Sequence, residues 1–252
     1  MSSSSRVSVF DSASPAYSKA FHTFLNHTNQ KEQALKWLGD LVAALPRHRH
    51  AIDAGAGTGK LTTWLAAHFE TVSAIEPNSS LAAVFRDNCP AATLISGDIL
   101  SASPPSPADF ILCSHVFYYI PIEKWRSNVL KLASWLAPGG VLAIAIQNPD
   151  SDCMRMVNHF VGRRINLQDL AGSIDARQAE QYEVGLDTVE ASIRTADLRT
   201  ACEVAEFILN VMPMSDPPAW GDLERYVAER FASPDGGYCF SCHQDFLRVF
   251  RR

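Results

Sequence analysis

The sequence predicts an α/β fold in which a largely parallel sheet is covered by helices on both faces. Three observations predict it. Between residues 51 and 147, short apolar strands alternate with helix-period segments, the rhythm of repeated β-α units. The first of these strands, Ala51-Ile52-Asp53, runs into a turn with glycine at 55, 57 and 59 and then into a helix whose Leu61, Trp64 and Leu65 share a face. Two late strands, separated by helical segments, suit an antiparallel pair at one edge of the sheet.

The elements follow in order. Residues 1–15 are polar and end at Pro15, a lid-like segment. Residues 16–45 carry helical periodicity through Phe21, Phe24, Leu25, Leu35, Leu38 and Val42, with a break near Asn26-His27. Pro46 and the basic run Arg47 to His50 stop it, and that run reads as a solvated turn. After Ala51-Ile52-Asp53 come a helix from Leu61 to His68 and a strand from Thr71 to Glu76, closed by Pro77-Asn78. Ser79 or Ser80 can cap the helix Leu81 to Asn88. Thr93-Leu94-Ile95 is a third strand ending at Gly97-Asp98, and Pro104, Pro105 and Pro107 fill a loop. Asp109 to Ser114 is a strand, Lys124 to Leu136 a helix, Pro138-Gly139-Gly140 a turn and Val141 to Gln147 a strand. Beyond 148, Cys153 to Arg164 and Leu167 to Gln181 read as helices, Val184 to Thr195 as a strand, Ala196 to Val211 and Leu223 to Phe231 as helices, and Tyr238 to Phe250 as the last strand.

Composition narrows the function classes. With 252 residues, 47% of them hydrophobic, the chain can build one sizeable core. A net charge of −5 gives no electrostatic footprint for nucleic acid. The longest apolar runs fall far short of the roughly 20 residues that span a membrane. The start, Met1-Ser2-Ser3-Ser4-Ser5-Arg6, lacks the apolar segment of a signal peptide. Six cysteines without a framework suit a reducing, cytoplasmic setting. Cys239 to His243 matches the haem-attachment pattern C-x-x-C-H, but in a strand residues three apart point to opposite faces, so these read as ordinary strand residues. No H-x-x-x-H or paired-cysteine spacing suggests a metal.

The glycine turn carries the chemistry. Glycine lets backbone approach a bulky ligand, and the following helix directs its N–H groups there. A phosphate loop, G-x-x-x-x-G-K-[ST], fails because its first glycine position is Ala54 and its hydroxyl position is Leu61. A dinucleotide turn, G-x-G-x-x-G, fails at Lys60, and Asp53 would repel a pyrophosphate. A cationic, phosphate-free ligand suits an acid before the turn, and S-adenosylmethionine (SAM) is such a ligand. Asp53, Gly55, Gly57 and Gly59 together resemble the first motif of class I SAM-dependent methyltransferases, [DE]-x-G-x-G-x-G. That resemblance implies a Rossmann-like seven-stranded sheet, with a parallel core, an antiparallel C-terminal edge strand and an N-terminal helical lid. It also implies one domain over 1–252, with a lid at 1–45, a SAM-binding core at 46–148 and a helical cap with edge strands at 149–252.

The ends of the strands supply the rest of the candidate site. Glu76, with Pro77 beside it, stands 19 residues past Gly57 and can accept two ribose hydroxyls. Asp98 is either a turn cap or the acceptor of the adenine amino group, with the Ile99 N–H facing the ring, as the resemblance implies. Ser114 and His115 end the fourth strand, where the sulfonium would lie, and Asp53 would hold the methionine ammonium. A sulfonium methyl is already activated for in-line displacement, so the protein has to align an acceptor and exclude water.

A closer set of residues, Phe10-Asp11, Tyr17, Phe21, Phe24 to Thr28 and Phe117-Tyr118-Tyr119, is similar to histamine N-methyltransferases. The resemblance implies that Tyr17 and Phe21 close over the active site. Tyr118 and Tyr119 either line the pocket or pack beneath the loop. Where that family has an acid for the acceptor amine this chain has Gln30; its amide after the fourth strand becomes His115; its final-strand asparagine falls near Cys242-His243. His115 is the general-base candidate, with a pKa expected near 7. The expected activity is therefore methylation of a small-molecule amine or ring nitrogen, with no nucleic-acid or membrane partner. Two alternatives stay open: cyclisation of SAM itself to a four-membered-ring amino acid with release of methylthioadenosine, and SAM binding without catalysis.

Overall fold

The computed structural model describes residues 5–11, 14–172 and 180–252. Part of the expected lid segment (residues 1–4, 12 and 13) and most of the far half of the helix expected over Leu167 to Gln181 lie outside the described residues. The chain forms two compact units. One comprises Met1–Lys36, Gln147–Asn166 and Thr188–Gln244; the other comprises Trp37–Ile146, Leu167–Asp187 and Asp245–Arg252.

The second unit is built on the β-α repeat. Its strands are β1 (His50–Ala54), β2 (Thr71–Glu76), β3 (Thr93–Ser96), β4 (Ala108–Ser114) and β5 (Leu136–Gln147), joined by β6 (Tyr182–Val189) and β9 (Gln244–Arg251). The order is β3-β2-β1-β4-β5-β9-β6, a seven-stranded sheet with a parallel core and an antiparallel edge strand. Strand β1 is buried at all five positions and pairs in parallel with β2 and β4, Asp53 lying opposite Ala74 and Leu112. Burial on both faces explains why these strands read as continuous apolar runs. Helices α3 (Lys60–Ala66), α4 (Ser79–Asn88) and α5 (Trp125–Ser134) provide the crossovers. Strand order reverses between β1 and β4, the point where α/β sheets open a crevice at their carboxyl ends.

The cap of α4 corrects the sequence reading. Asn78, not a serine, is the N-cap: its Oδ1 accepts from Ser80 N at 2.9 Å and Leu81 N at 3.2 Å. Ser79 and Ser80 are already helical because the Asn78 N–H is held 2.8 Å from Glu76 Oε1, which turns the chain one residue earlier. Asn78→Ala should cost about 1 kcal/mol and Asn78→Asp much less, read from urea melts. Equal stability of the alanine variant and the parent would refute the cap.

The Pro138-Gly139-Gly140 turn is a second correction: these residues belong to β5, and the shift in its pairing with β4 between Ala108 and Phe110 absorbs them. Gly140 has no room for a side chain there, since a Cβ would stand 2.8 Å from Ala108 O.

The first unit holds α1 (Pro15–His27), the start of α2 (Gln30–Ala43), α6 (Asp152–Val161), α8 (Leu198–Leu209) and α9 (Trp220–Phe231), with α7 (Leu167–Ala171) falling in the second unit. Ser14 caps α1 by accepting from Tyr17 N, and Pro15 suits the first helical turn. The two long late strands are in fact four. A break after β6 gives β7 (Ser192–Thr195), and a break before β9 gives β8 (Tyr238–Ser241). These two form their own antiparallel pair, with Ser192 opposite Ser241 and Thr195 opposite Tyr238. The breaks are held together. Cys242 N donates to Ala191 O at 2.9 Å, and Ala191 N donates to His243 Nδ1 at 3.0 Å. A histidine ring replacing a ladder carbonyl leaves no trace in the alternation of apolar residues. Of the Cys239 to His243 run, only Cys239 to Ser241 is strand; Cys242 and His243 lie in the connection.

Candidate functional site

The site grows from the turn after β1. Gly55, Gly57 and Gly59 have φ of 88°, 55° and 87°. Two have neighbouring side chains that would have to shift to admit a Cβ. A Cβ on Gly55 would stand 2.2 Å from Val116 Cγ2, and one on Gly59 2.5 Å from Cys89 Sγ. Gly57 differs, because a Cβ there would meet nothing within 4 Å. Its side of the turn is open backbone, the cradle that a close-lying ligand needs. The turn is fastened to β2: Gly55 N and Ala56 N donate to Ile75 O, and Gly57 N donates to Glu76 Oε2 at 2.8 Å.

Glu76 is buried at the last position of β2, with Oε1 on Asn78 N and Oε2 on Gly57 N. Each carboxylate oxygen keeps further lone-pair capacity. Pro77 follows and fixes the exit. Asp53 is 2% exposed and accepts from Thr62 Oγ1 at 2.6 Å. Burial raises its pKa to about 6; the Thr62 bond opposes this and the nearby Glu76 charge adds to it. A buried carboxylate ready to ionise beside a second one favours a cationic guest. Asp98 is exposed, and its Oδ1 accepts from Ser101 N at 2.8 Å; the hydrogen bonds from Ser101 hold its carboxyl below the usual range. Ile99 beside it is buried.

At the end of β4, Ser114 is half-buried and His115 adopts φ 58°, the only positive φ among described residues other than glycine. Such strain is held by its neighbours. His115 N donates to Ala145 O at 2.8 Å, and Nδ1 lies 3.2 Å from the Tyr118 hydroxyl, with the two rings stacked at 5.8 Å. The expected pKa near 7 is overturned: burial lowers it to about 4, so the imidazole is neutral at physiological pH. Tyr118 is buried, whereas Tyr119 is 71% exposed. The structure thus brings Asp53, the three glycines, Glu76, Pro77, Asp98, Ile99, Ser114, His115, Tyr118 and Tyr119 into one unit, along the carboxyl ends of β1 to β4.

Tyr17 and Phe21 belong to the other unit. They stack on each other at 6.2 Å, and each lies 5.6 Å from the ring of Phe207 on α8. Gln30 is buried there, its Nε2 donating to Gln147 Oε1 at 3.0 Å and to Cys242 O at 2.7 Å. Two acceptors fix that amide's orientation. Sequence reasoning missed Thr62, Asn78, Val116 and Phe207. Thr62, a hydroxyl in the first turn after the glycines, was discoverable; Val116 and Phe207 act across long sequence distances and gave no signal. Among the described residues no helix is long and apolar enough to cross a membrane.

Comparison with known proteins supplies the family context. A model described as a methyltransferase domain matches residues 25–188. Trans-aconitate 2-methyltransferase of Rhizobium leguminosarum bv. trifolii is 30% identical over 116 residues, 44% of this chain and 44% of that protein. The Delftia acidovorans protein of the same name is 32% identical over 133 residues, 50% of this chain and 47% of that protein. This chain therefore spans less than half the length of these curated relatives. The N-methyltransferase NodS of Bradyrhizobium japonicum WM9, solved with S-adenosyl-L-homocysteine, has a TM-score of 0.56 at 15% identity, covering 95% of this chain and 99% of that one. The YcgJ protein of Bacillus subtilis has a TM-score of 0.61 at 13% identity, over 85% and 97%. At such identities these two likenesses carry the fold alone. The narrower resemblance to histamine N-methyltransferases is not shown by these matches.

Proposed function

We propose, for a chain that belongs to the methyltransferase domain family and is a SAM-dependent transferase, that the acceptor is a small molecule attacked at an amine or ring nitrogen. The cofactor, when bound, supplies a methyl group already activated on a sulfonium. The chain's own residues suit it: Glu76 offers lone pairs to vicinal hydroxyls, Asp53 offers a carboxylate to an ammonium, and the open side of Gly57 admits a ligand against backbone. We assign Asp98 and Ile99 to the adenine, Ser114 and His115 to the reacting end, and Tyr118 and Tyr119 to the acceptor. We take the whole chain as one functional domain acting in the cytoplasm.

What supports this choice of acceptor is the setting of His115: at the end of β4 its Nδ1 lies 3.2 Å from the Tyr118 hydroxyl, and burial lowers its pKa to about 4. A base that holds a proton only below about pH 4 is poorly matched to removing one from a hydroxyl at pH 7. A neutral amine or ring nitrogen brings its own lone pair and needs no base. A carboxylate, already anionic, is the second reading, favoured by the trans-aconitate relatives.

Incubation with methyl-labelled SAM and a panel of amines, heteroaromatics and carboxylic acids separates these readings. We expect label in products stable to mild alkali. Label released as methanol would mark a methyl ester and favour the second reading. Methylthioadenosine formed from SAM alone would overturn both in favour of cyclisation, and binding of SAM with no labelled product across the panel would overturn catalysis.

A further inference from the structure

A cavity of about 470 Å³ lies within the first unit, between the C-terminal end of α6 and residues 213–216. It shares no residue with the glycine turn or the strand-end carboxylates. Its volume falls in the range of small-molecule sites, roughly 300–1,000 Å³. Phe160, Val161, Pro213 and Met214 supply apolar lining. The Phe160 ring is braced by His159 at 4.6 Å and Tyr226 at 5.3 Å, so this part of the lining is fixed. Met214 is almost fully buried, and its unbranched thioether adapts to an occupant's shape.

The polar lining is unbalanced. The Asp216 carboxylate already holds Arg6 Nη1 at 2.5 Å, and the same guanidinium reaches Pro217 O at 2.8 Å. Gly162, at φ 69°, ends α6 and turns the chain off the helix before Arg163. Arg163 is exposed to solvent, forms no ion pair or hydrogen bond among the described residues, and contributes to the cavity's lining. The lining exposes more polar than apolar surface, with an apolar side formed by Phe160, Val161, Pro213 and Met214 and a guanidinium that has no partner among the described residues. That mixture suits an amphipathic anion, and the planar fork of arginine matches a carboxylate bidentately.

We propose that this cavity binds a small carboxylic acid with an apolar body, its carboxylate on Arg163 and its hydrocarbon against Phe160, Val161 and Met214. The site is independent of the acceptor assignment.

Saturation-transfer NMR on the full chain, with octanoate, 1-octanol and octylamine as probes, tests it. Octanoate should bind at least tenfold more tightly than octylamine. Arg163→Gln should erase that preference, and Met214→Trp, by filling the cavity, should weaken octanoate at least tenfold while leaving SAM binding intact. Val161→Phe provides a second filling variant should Met214→Trp fail to fold. Equal binding of octanoate and octylamine, or parent-like octanoate binding by Arg163→Gln and by the filling variant, overturns the proposal.

Discussion

Gly55→Ala is expected to lose measurable SAM binding and to lower stability by about 3 kcal/mol. Two costs add. At φ 88° an L-residue is strained by roughly 1–2 kcal/mol. The new methyl would also stand 2.2 Å from Val116 Cγ2, so Val116 has to move, and forced repacking of a tight contact costs about 1–3 kcal/mol. Val116 follows directly on His115, whose own positive φ depends on its neighbours. The disturbance therefore reaches the turn after β4 as well as the glycine turn. Gly57→Ala is the control. It keeps the conformational strain, at φ 55°, but its methyl meets no atom within 4 Å. It should cost only about 1–2 kcal/mol in a urea melt, yet still obstruct the cofactor. Calorimetric titration with SAM beside the melts separates the two. A Gly55→Ala protein as stable as Gly57→Ala would show that Val116 yields freely.

The sequence revealed this turn well and its supports poorly, for a physical reason. Glycines at 55, 57 and 59 between an apolar strand and a helix are a local signal, and so are carboxylates one strand apart at 53 and 76. The β-α rhythm through 147 is also local, which is why the parallel core was readable. What escaped was non-local or a substitution of one group for another. Val116 crowds Gly55 across 61 positions, and Phe207 gathers Tyr17 and Phe21 from the far end of the chain. His243 takes the place of a backbone acceptor for Ala191 and so ends a strand that alternation alone would continue. Residue type sets only the starting value of the His115 pKa, and burial in the folded chain lowers it, which no local pattern shows.

Asp53→Asn should move stability and binding in opposite directions. Burial raises the pKa of this carboxyl from 3.8 to about 6, so the folded protein holds the proton more tightly than the unfolded chain does. Folding is therefore favoured at low pH. As pH rises from 3.8 towards 6 the unfolded chain ionises first, and the folded state loses up to about 3 kcal/mol, at 1.36 kcal/mol per pH unit. Above pH 6 the whole penalty is present, and an amide removes it. The asparagine oxygen can still accept from Thr62 Oγ1, which now lies 2.6 Å from the carboxylate. The variant should thus be more stable than the parent at pH 7.5, by up to about 3 kcal/mol, and no more stable at pH 4. Cofactor binding should fall at least tenfold at pH 7.5, because a neutral amide does not compensate a cation as a carboxylate does. In the parent, affinity for SAM should decline as pH drops through about 6, where Asp53 takes up its proton. Urea melts and calorimetric titrations across pH 4 to 8 measure both. A variant that gains no stability at pH 7.5 would show that Asp53 is not strained by burial. One that gains stability yet binds SAM like the parent would remove Asp53 from the cofactor site and leave Glu76 as its principal anion.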